Sequence, residues 1–204
     1  MVENLQTLLS NGLQIQSNMK KILVIMAGGK SSRMQQDKAL LPFGAYNSLA
    51  EYQYRRLSSY FDKIYISAKN NKFDFSVDVI EDKYENSSPL VALVSIFETL
   101  EEEEIFILSV DAPFVSTQTI DKLYKEATRE KSVIIAKSDN GLEPLCGIYR
   151  CTILNHAKKF LEEDNHRLQA LLNDVPTKKI RIYSEEFLNL NHPFEYEEAK
   201  NRLN

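Results

Sequence analysis

The chain alternates short apolar runs with longer stretches in which apolar residues recur every three or four positions. Its strongest run, Ile22–Met26, is continuous and rich in branched aliphatic side chains, and residues 105–110 form a second strongly apolar run. An apolar run without polar interruption reads as a strand covered on both faces, hence as the centre of a parallel sheet. Weaker strand signals lie at 63–67, 77–80, 132–136, 144–149 and 179–183. Between them the periodicity predicts helices over 48–60, 117–129, 153–161, 168–172 and 194–203. A further helix starts at Pro89, a residue suited to a first turn, with Leu90, Leu93, Val94, Phe97 and Leu100 on one face. Glutamates 101–104 would oppose the dipole at its end, so it stops before or within them and the run reads as solvated. Strands alternating with helices predict an α/β protein, a Rossmann-like three-layer sandwich around a mainly parallel mixed sheet. Residues 1–18 place Leu5, Leu8, Leu9 and Leu13 at helical spacing and read as an extension to a single domain over 19–204.

Small residues and cations follow the first run. Ala27, Gly28 and Gly29 carry almost no side chain, so backbone N–H groups can approach a ligand closely. Lys30, Arg33 and Lys38 then supply positive charge, Arg33 as a planar fork and Lys38 as a point charge. The P-loop pattern fails, because Val24 stands where its first glycine belongs, and the Gly-x-Gly-x-x-Gly fingerprint fails as well. What remains is either a cradle for a triphosphate chain or a plain turn after a strand. Ligands of open α/β sheets sit outside the carboxyl ends of the strands, which links this loop to Asp82 and Asp111. Asp111, at the tip of the second strong run and followed by Ala112-Pro113, suits Mg²⁺, which takes one or two protein carboxylates besides water and phosphates. It equally suits a turn-capping aspartate. Asn189 and Asn191, two apart in extended chain, point the same way and can grip a polar ligand together, or cap the last helix.

Composition narrows the classes. A net charge of −4 over 204 residues argues against a nucleic-acid groove but not against a local cationic pocket. No apolar stretch is long enough for a bilayer, and no basic-then-apolar leader opens the chain, so a cytoplasmic protein is expected. Cys146 and Cys151 show no metal-ligand spacing and are expected to be buried thiols rather than a disulfide. His156, His166 and His192 also lack such spacing and read as surface or capping residues. No serine–histidine–acid grouping suggests a covalent nucleophile.

Residues 26–38, Met-Ala-Gly-Gly-Lys-Ser-Ser-Arg-Met-Gln-Gln-Asp-Lys, resemble the nucleotidyltransferase signature Leu-Ala-Gly-Gly-x-Ser-x-Arg-Met-Gly-x-Asp-Lys, most closely that of the molybdenum cofactor guanylyltransferases. Gln35 replaces a usual glycine. Val79-Ile80-Glu81-Asp82 and Asp111-Ala112-Pro113 match later motifs, and 189–193 match the Asn-x-Asn-x-Pro ending. Glu143–Tyr149 resembles the acceptor-side strand, and Arg167 falls where the family places cationic acceptor contacts. Ser88-Pro89-Leu90-Val91-Ala92 lacks both glycines of Gly-Pro-Leu-x-Gly, and Ser67 stands where asparagine is frequent. The resemblance implies GTP as donor, a molybdopterin-type phosphate as acceptor, and delivery proteins for the molybdenum cofactor as partners. It implies catalysis by Arg33, Lys38 and Asp111, with Mg²⁺ on Asp111. Nucleotide contacts would come from Met26, Ala27, Gly28, Gly29, Lys38, Ser67, Asp82, Asp111, Asn189 and Asn191. The alternatives are a relative using CTP or another phosphorylated acceptor, and a non-catalytic GTP-binding module.

Overall fold

The computed structural model describes residues 20–28, 36–183, 185–188, 190 and 192–203. The expected helix within 1–18 lies outside them. Seven strands, β1 (Ile22–Met26), β2 (Lys63–Ala68), β3 (Asp78–Glu81), β4 (Glu104–Ser109), β5 (Val133–Ser138), β6 (Gly141–Arg150) and β7 (Thr177–Arg181), form one sheet in the order β3-β2-β1-β4-β6-β5-β7. Every pairing is parallel except those of β6, which runs antiparallel to β4 and β5. The mainly parallel mixed sheet is therefore as expected.

Six helices cover it: α1 (Leu49–Leu57), α2 (Pro89–Thr99), α3 (Thr117–Lys125), α4 (Leu154–Glu162), α5 (Leu168–Asp174) and α6 (Pro193–Asn201). Along β1, Leu23 and Ile25 enter one apolar layer with Leu49, Leu57, Ile120, Leu123 and Ala199 of α1, α3 and α6. Ile22, Val24 and Met26 enter the other with Leu90, Leu93, Ala157 and Leu171 of α2, α4 and α5. This two-residue alternation is what turns one uninterrupted apolar run into the wall of two cores. Ser48, Ser88 and Ser116 cap α1, α2 and α3, each accepting a backbone N–H three residues on; such a cap contributes about 1 kcal/mol.

Boundaries differ from the sequence expectation where tertiary contacts intervene. α3 ends at Lys125 rather than 129, and Arg150 takes the carbonyls of Thr128 and Lys131 and bends the chain into β5. Glu104 is not a solvated helix end: it opens β4 and pairs with Arg150 at 2.7 Å. β6 begins at Gly141, because a tight turn after β5 needs φ +134° there. β7 starts two residues early, in register with β5 through Val133↔Thr177. Both cysteines are free, but Cys151 is exposed, so the expectation of two buried thiols holds for Cys146 alone. Cys151 opens the short turn after β6, where the chain leaves the sheet. Among the described residues, no helix is long and apolar enough to cross a membrane.

On β6, a Cβ at Gly147 would sit 2.2 Å from the Ile134 carbonyl oxygen and 2.8 Å from the Ile135 Cα of β5. Those neighbours are backbone and cannot swing aside. Gly147→Ala should destabilise the fold by about 2 kcal/mol or more, read as a Tm drop of about 5 °C in a thermal melt. An unchanged Tm would show that the two strands can separate locally.

Candidate active site

The carboxyl ends of β1, β2, β3 and β4 open on the same edge, and the structure brings there the sequence candidates Met26, Ala27, Gly28, Lys38, Ser67, Asp82 and Asp111. Ala27 continues β1 past its last residue: its N–H donates to the Ser67 carbonyl at 2.8 Å, while Val110 N–H donates to the Met26 carbonyl at 3.0 Å. Gly28 follows, exposed, and a Cβ on it would meet no atom within 4 Å. Packing therefore gives no reason for glycine at this position, whereas close approach of a ligand to the backbone does. Ser67 lies beside Met26 but is only 2% exposed, so its carbonyl contributes more here than its hydroxyl. Gly29, Arg33, Lys30, Asn189 and Asn191 lie outside the described residues. His192, not Asn191, is the residue from which α6 starts, its N–H donating to Glu195 at 2.7 Å.

Asp111 and Lys38 meet across this edge. Lys38 Nζ donates to Asp111 Oδ2 at 2.9 Å, and Ser109 Oγ donates to Asp111 Oδ1 at 2.5 Å. The two side chains keep 15% and 21% of their surface exposed, enough for a ligand to reach them. Lys38 sits in a single 3₁₀ turn (Lys38–Leu40) capped by Asp37, whose Oδ1 accepts the Ala39 N–H at 3.1 Å. Asp37 Oδ2 pairs with Lys72, whose Nζ also donates to the Ala27 carbonyl at 3.1 Å.

From below, the Asp111 turn is braced by α1. Gln53, fully buried, donates through Nε2 to the carbonyls of Ser109 and Val110, both at 3.3 Å. Arg56 donates to Gln53 Oε1 at 2.7 Å and to the Val115 carbonyl at 2.8 Å. Burial lowers the Arg56 pKa to about 10, which leaves it charged at neutral pH. Across from Asp111, on β6, Glu143 accepts a 2.6 Å bond from Ser138 Oγ. Burial raises the Glu143 pKa, the Ser138 bond opposes that rise, and the charge of Asp111 adds to it.

Asp82 follows β3, its N–H donating to the Ala68 carbonyl at 3.1 Å. Its Oδ1 is buried without a hydrogen-bond partner among the described residues. Burial raises its pKa, and Lys69 pulls the other way. An unsatisfied buried carboxylate oxygen is costly, and such atoms collect where a ligand supplies the missing donor. Ser88 accepts Val91 N–H as the α2 cap and also meets His166 Nδ1 at 3.3 Å; His166 Nε2 lies 3.1 Å from Asp164 Oδ1. Ala92, at the position of the missing glycine, is buried inside α2.

The donor set fits a hard divalent ion. Asp111 offers one carboxylate with lone pairs beyond those used by Lys38 and Ser109, and phosphates and water can complete an octahedron. Among the described residues no group of three or more His, Cys, Asp or Glu is arranged to hold a metal without such help.

Residues 23–179 match the MobA-like NTP transferase domain. The chain belongs to this family. A molybdenum cofactor guanylyltransferase of Campylobacter jejuni subsp. doylei is 38% identical over 183 residues, covering 88% of this chain and 95% of that protein. One from Helicobacter pylori is 36% identical, covering 86% of this chain and 90% of its own length. Molybdopterin-guanine dinucleotide biosynthesis protein A of Archaeoglobus fulgidus superposes with a TM-score of 0.76 at 16% identity, over 89% of this chain and 97% of that one, and so shares the fold. Membership of the MobA-like family makes the protein a nucleotidyltransferase.

Sequence reasoning missed three groups at this edge. Lys72 comes from an unpatterned loop, Gln53 and Arg56 look like solvent-facing helix residues, and Glu143 stood out only as part of a strand motif. For Gln53 the available signal was its place one turn after Leu49-Ala50 and one turn before Leu57, on the apolar face of α1.

Burial of Asp82 has a consequence for stability. A carboxyl whose folded pKa is raised costs stability when ionised; the cost is fully present above the raised pKa and disappears as pH falls below the unfolded value. Asp82→Asn should therefore raise Tm by about 2 °C at neutral pH and have no effect in acid below about pH 3.5. Thermal melts across pH check this. A lower Tm at neutral pH would mean that the ionised carboxylate is stabilised in the empty protein.

Proposed function

We propose that the protein transfers GMP from GTP to the terminal phosphate of a molybdopterin carrying molybdenum, yielding the guanine dinucleotide cofactor and pyrophosphate. The relatives at 36–38% identity are molybdenum cofactor guanylyltransferases, which supports these substrates. The observation that carries the chemistry is the Lys38–Asp111 pair, 2.9 Å long, just past the carboxyl end of β4, the strand paired with β1. It sets a cation and a hard-metal ligand side by side, the two charges that a metal-bound triphosphate requires.

In this reading an oxygen of the acceptor phosphate attacks the α-phosphorus of GTP, a new P–O bond forms, and the α–β anhydride bond breaks to release pyrophosphate. No protein nucleophile intervenes. Catalysis consists of positioning and of neutralising charge on the leaving group. Backbone amides at Gly28 and Gly29, with Arg33 and Lys38, hold the phosphates. Asp111 holds Mg²⁺, which when bound neutralises charge on the pyrophosphate. Lys38 and Asp111 pair with each other at 2.9 Å, so a triphosphate that drew off the lysine would free the aspartate oxygen to hold the ion. Asp82 supplies its orphan oxygen to the nucleoside, and Asn189 and Asn191 contribute amides beside the phosphates. Incubation with each of the four triphosphates and purified molybdopterin acceptor, followed by product mass, tests the assignment. A cytosine dinucleotide product would move the protein to the cytidylyl branch, and binding of GTP without pyrophosphate release would make it a nucleotide-binding module.

Asp111→Asn keeps the size of the side chain and removes its charge. Transfer should fall by about a hundred- to a thousandfold, while Tm stays near that of the parent protein. Mg²⁺-dependent pyrophosphate release and a thermal melt on the same preparation check both. Near-normal turnover with a lowered Tm would mean that Asp111 caps a turn and holds no metal.

A further inference from the structure

Lys72 has no place in any recognised motif, yet its ammonium stands at the centre of the site's scaffolding. It donates to the carbonyl of Ala27, where the chain leaves β1, and pairs with Asp37, where the chain comes back beside Lys38. The two feet of the glycine loop are ten residues apart in sequence and share this one cation. Asp37 divides its carboxylate between two tasks: Oδ2 receives Lys72, and Oδ1 caps the turn that carries Lys38. From Lys38 the chain of contacts continues to Asp111 and Ser109.

Lys72 is itself delivered by a fixed segment. Asn71 N–H donates to Glu81 at 2.9 Å, Phe73 N–H donates to Asn71 at 3.3 Å, and Phe73 and Phe75 pack edge to face, 6.0 Å apart, on the α1-side core. On the far side, Phe43 is buried among Tyr52, Phe114 and Tyr196, so the chain after the Lys38 turn is fixed too. The ammonium therefore bridges two anchored bodies, the end of β1 and the Lys38 turn, and does not merely decorate a mobile surface.

We propose that Lys72 is a positioning residue for the transfer reaction: by tying the Ala27 carbonyl to Asp37 it sets where Lys38 stands relative to the glycine turn of β1. This rests on the reading of Lys38 as a cation for the donor's phosphates. With side-chain exposures of 19% and 34%, the Lys72–Asp37 pair is partly screened by solvent and adds little to global stability. Its effect belongs in the placement of Lys38, where a displacement on the order of 1 Å is costly.

The experiment is a double-mutant cycle on the full chain, with GTP-dependent pyrophosphate release in the presence of a molybdopterin acceptor. Lys72→Met should lower kcat/KM for GTP about tenfold or more with Tm within about 2 °C of the parent. Lys72→Arg should restore most of the activity, and Asp37→Asn should reproduce the loss. In a Lys38→Ala background, Lys72→Met should cost less than about threefold, because the group it positions is already gone. A Lys72→Met variant with kcat/KM within about twofold of the parent overturns the proposal. So do losses that multiply in the double mutant, which would make Lys72 a phosphate ligand in its own right.

A second readout needs no nucleotide. The amides of Ala39 and Leu40, bonded to Asp37 Oδ1 at 3.1 Å and to its carbonyl at 3.0 Å, should exchange with solvent faster in Lys72→Met than in the parent. Unchanged protection overturns the proposal. Should the parent protein fail to turn over GTP, the assigned reaction falls, and this exchange measurement still decides whether Lys72 holds the turn.

Discussion

A strand paired on both edges and covered on both faces has nothing left to offer a ligand except its end. β1 is in that position: β2 and β4 take its edges, and two cores take its alternate side chains. The backbone groups just beyond Met26 are consequently fixed by the sheet before any loop forms. Ala27 still bonds to the Ser67 carbonyl, and the Met26 carbonyl still receives Val110. The chain thus leaves β1 at Gly28 from backbone fixed by the sheet, and Lys38, Asp82 and Asp111 lie at the same edge.

The same edge concentrates the structure's electrostatic compromises. Among the described residues, Asp82 keeps a buried oxygen without a partner, Glu143 is held half-buried within reach of the Asp111 charge, and Arg56 carries its charge into the core with one guanidinium nitrogen unsatisfied. Each costs stability in the empty protein. Arg56 and Gln53 return part of that cost by fixing the carbonyls under Asp111. The orphan oxygen of Asp82 and the exposed backbone at Gly28 are the kind of features that a bound nucleotide satisfies.

Legibility in the sequence followed the range of the forces involved. Ile22–Met26 and Asp111 could be placed at once, because an apolar run and the residue ending it are local facts. Helix starts were equally local: Ser48 and Ser88 each cap within one turn. β6 was read three residues short because its start depends on the turn geometry at Gly141, and α3 was read four residues long because its end tightens, Ala127 N–H donating to the Tyr124 carbonyl three residues back. Lys72 was invisible for a related reason. Its partners, Ala27 and Asp37, are 45 and 35 residues away, and no pattern in the sequence records a single ammonium shared between them.

The reversed direction of β6 bears on how the site handles a second substrate. β5 runs toward the ligand edge and β6 runs back from it, so this side of the site is walled by a hairpin, and Glu143 is bonded into that hairpin opposite Ala136. β6 is also laddered to β4, the strand that carries the Asp111 turn at its end. Groups hung on neighbouring strands of a central sheet part company only when the ladder opens, and core strands open near the free energy of global unfolding. Asp111 stands two residues past the end of β4 and Glu143 three residues before the β4–β6 ladder begins at Cys146, so both are tethered to that ladder by short segments. If the acceptor of the proposed reaction enters on this side of the cleft, it would meet paired strands rather than a loop, and shape and charge would then matter there more than closure.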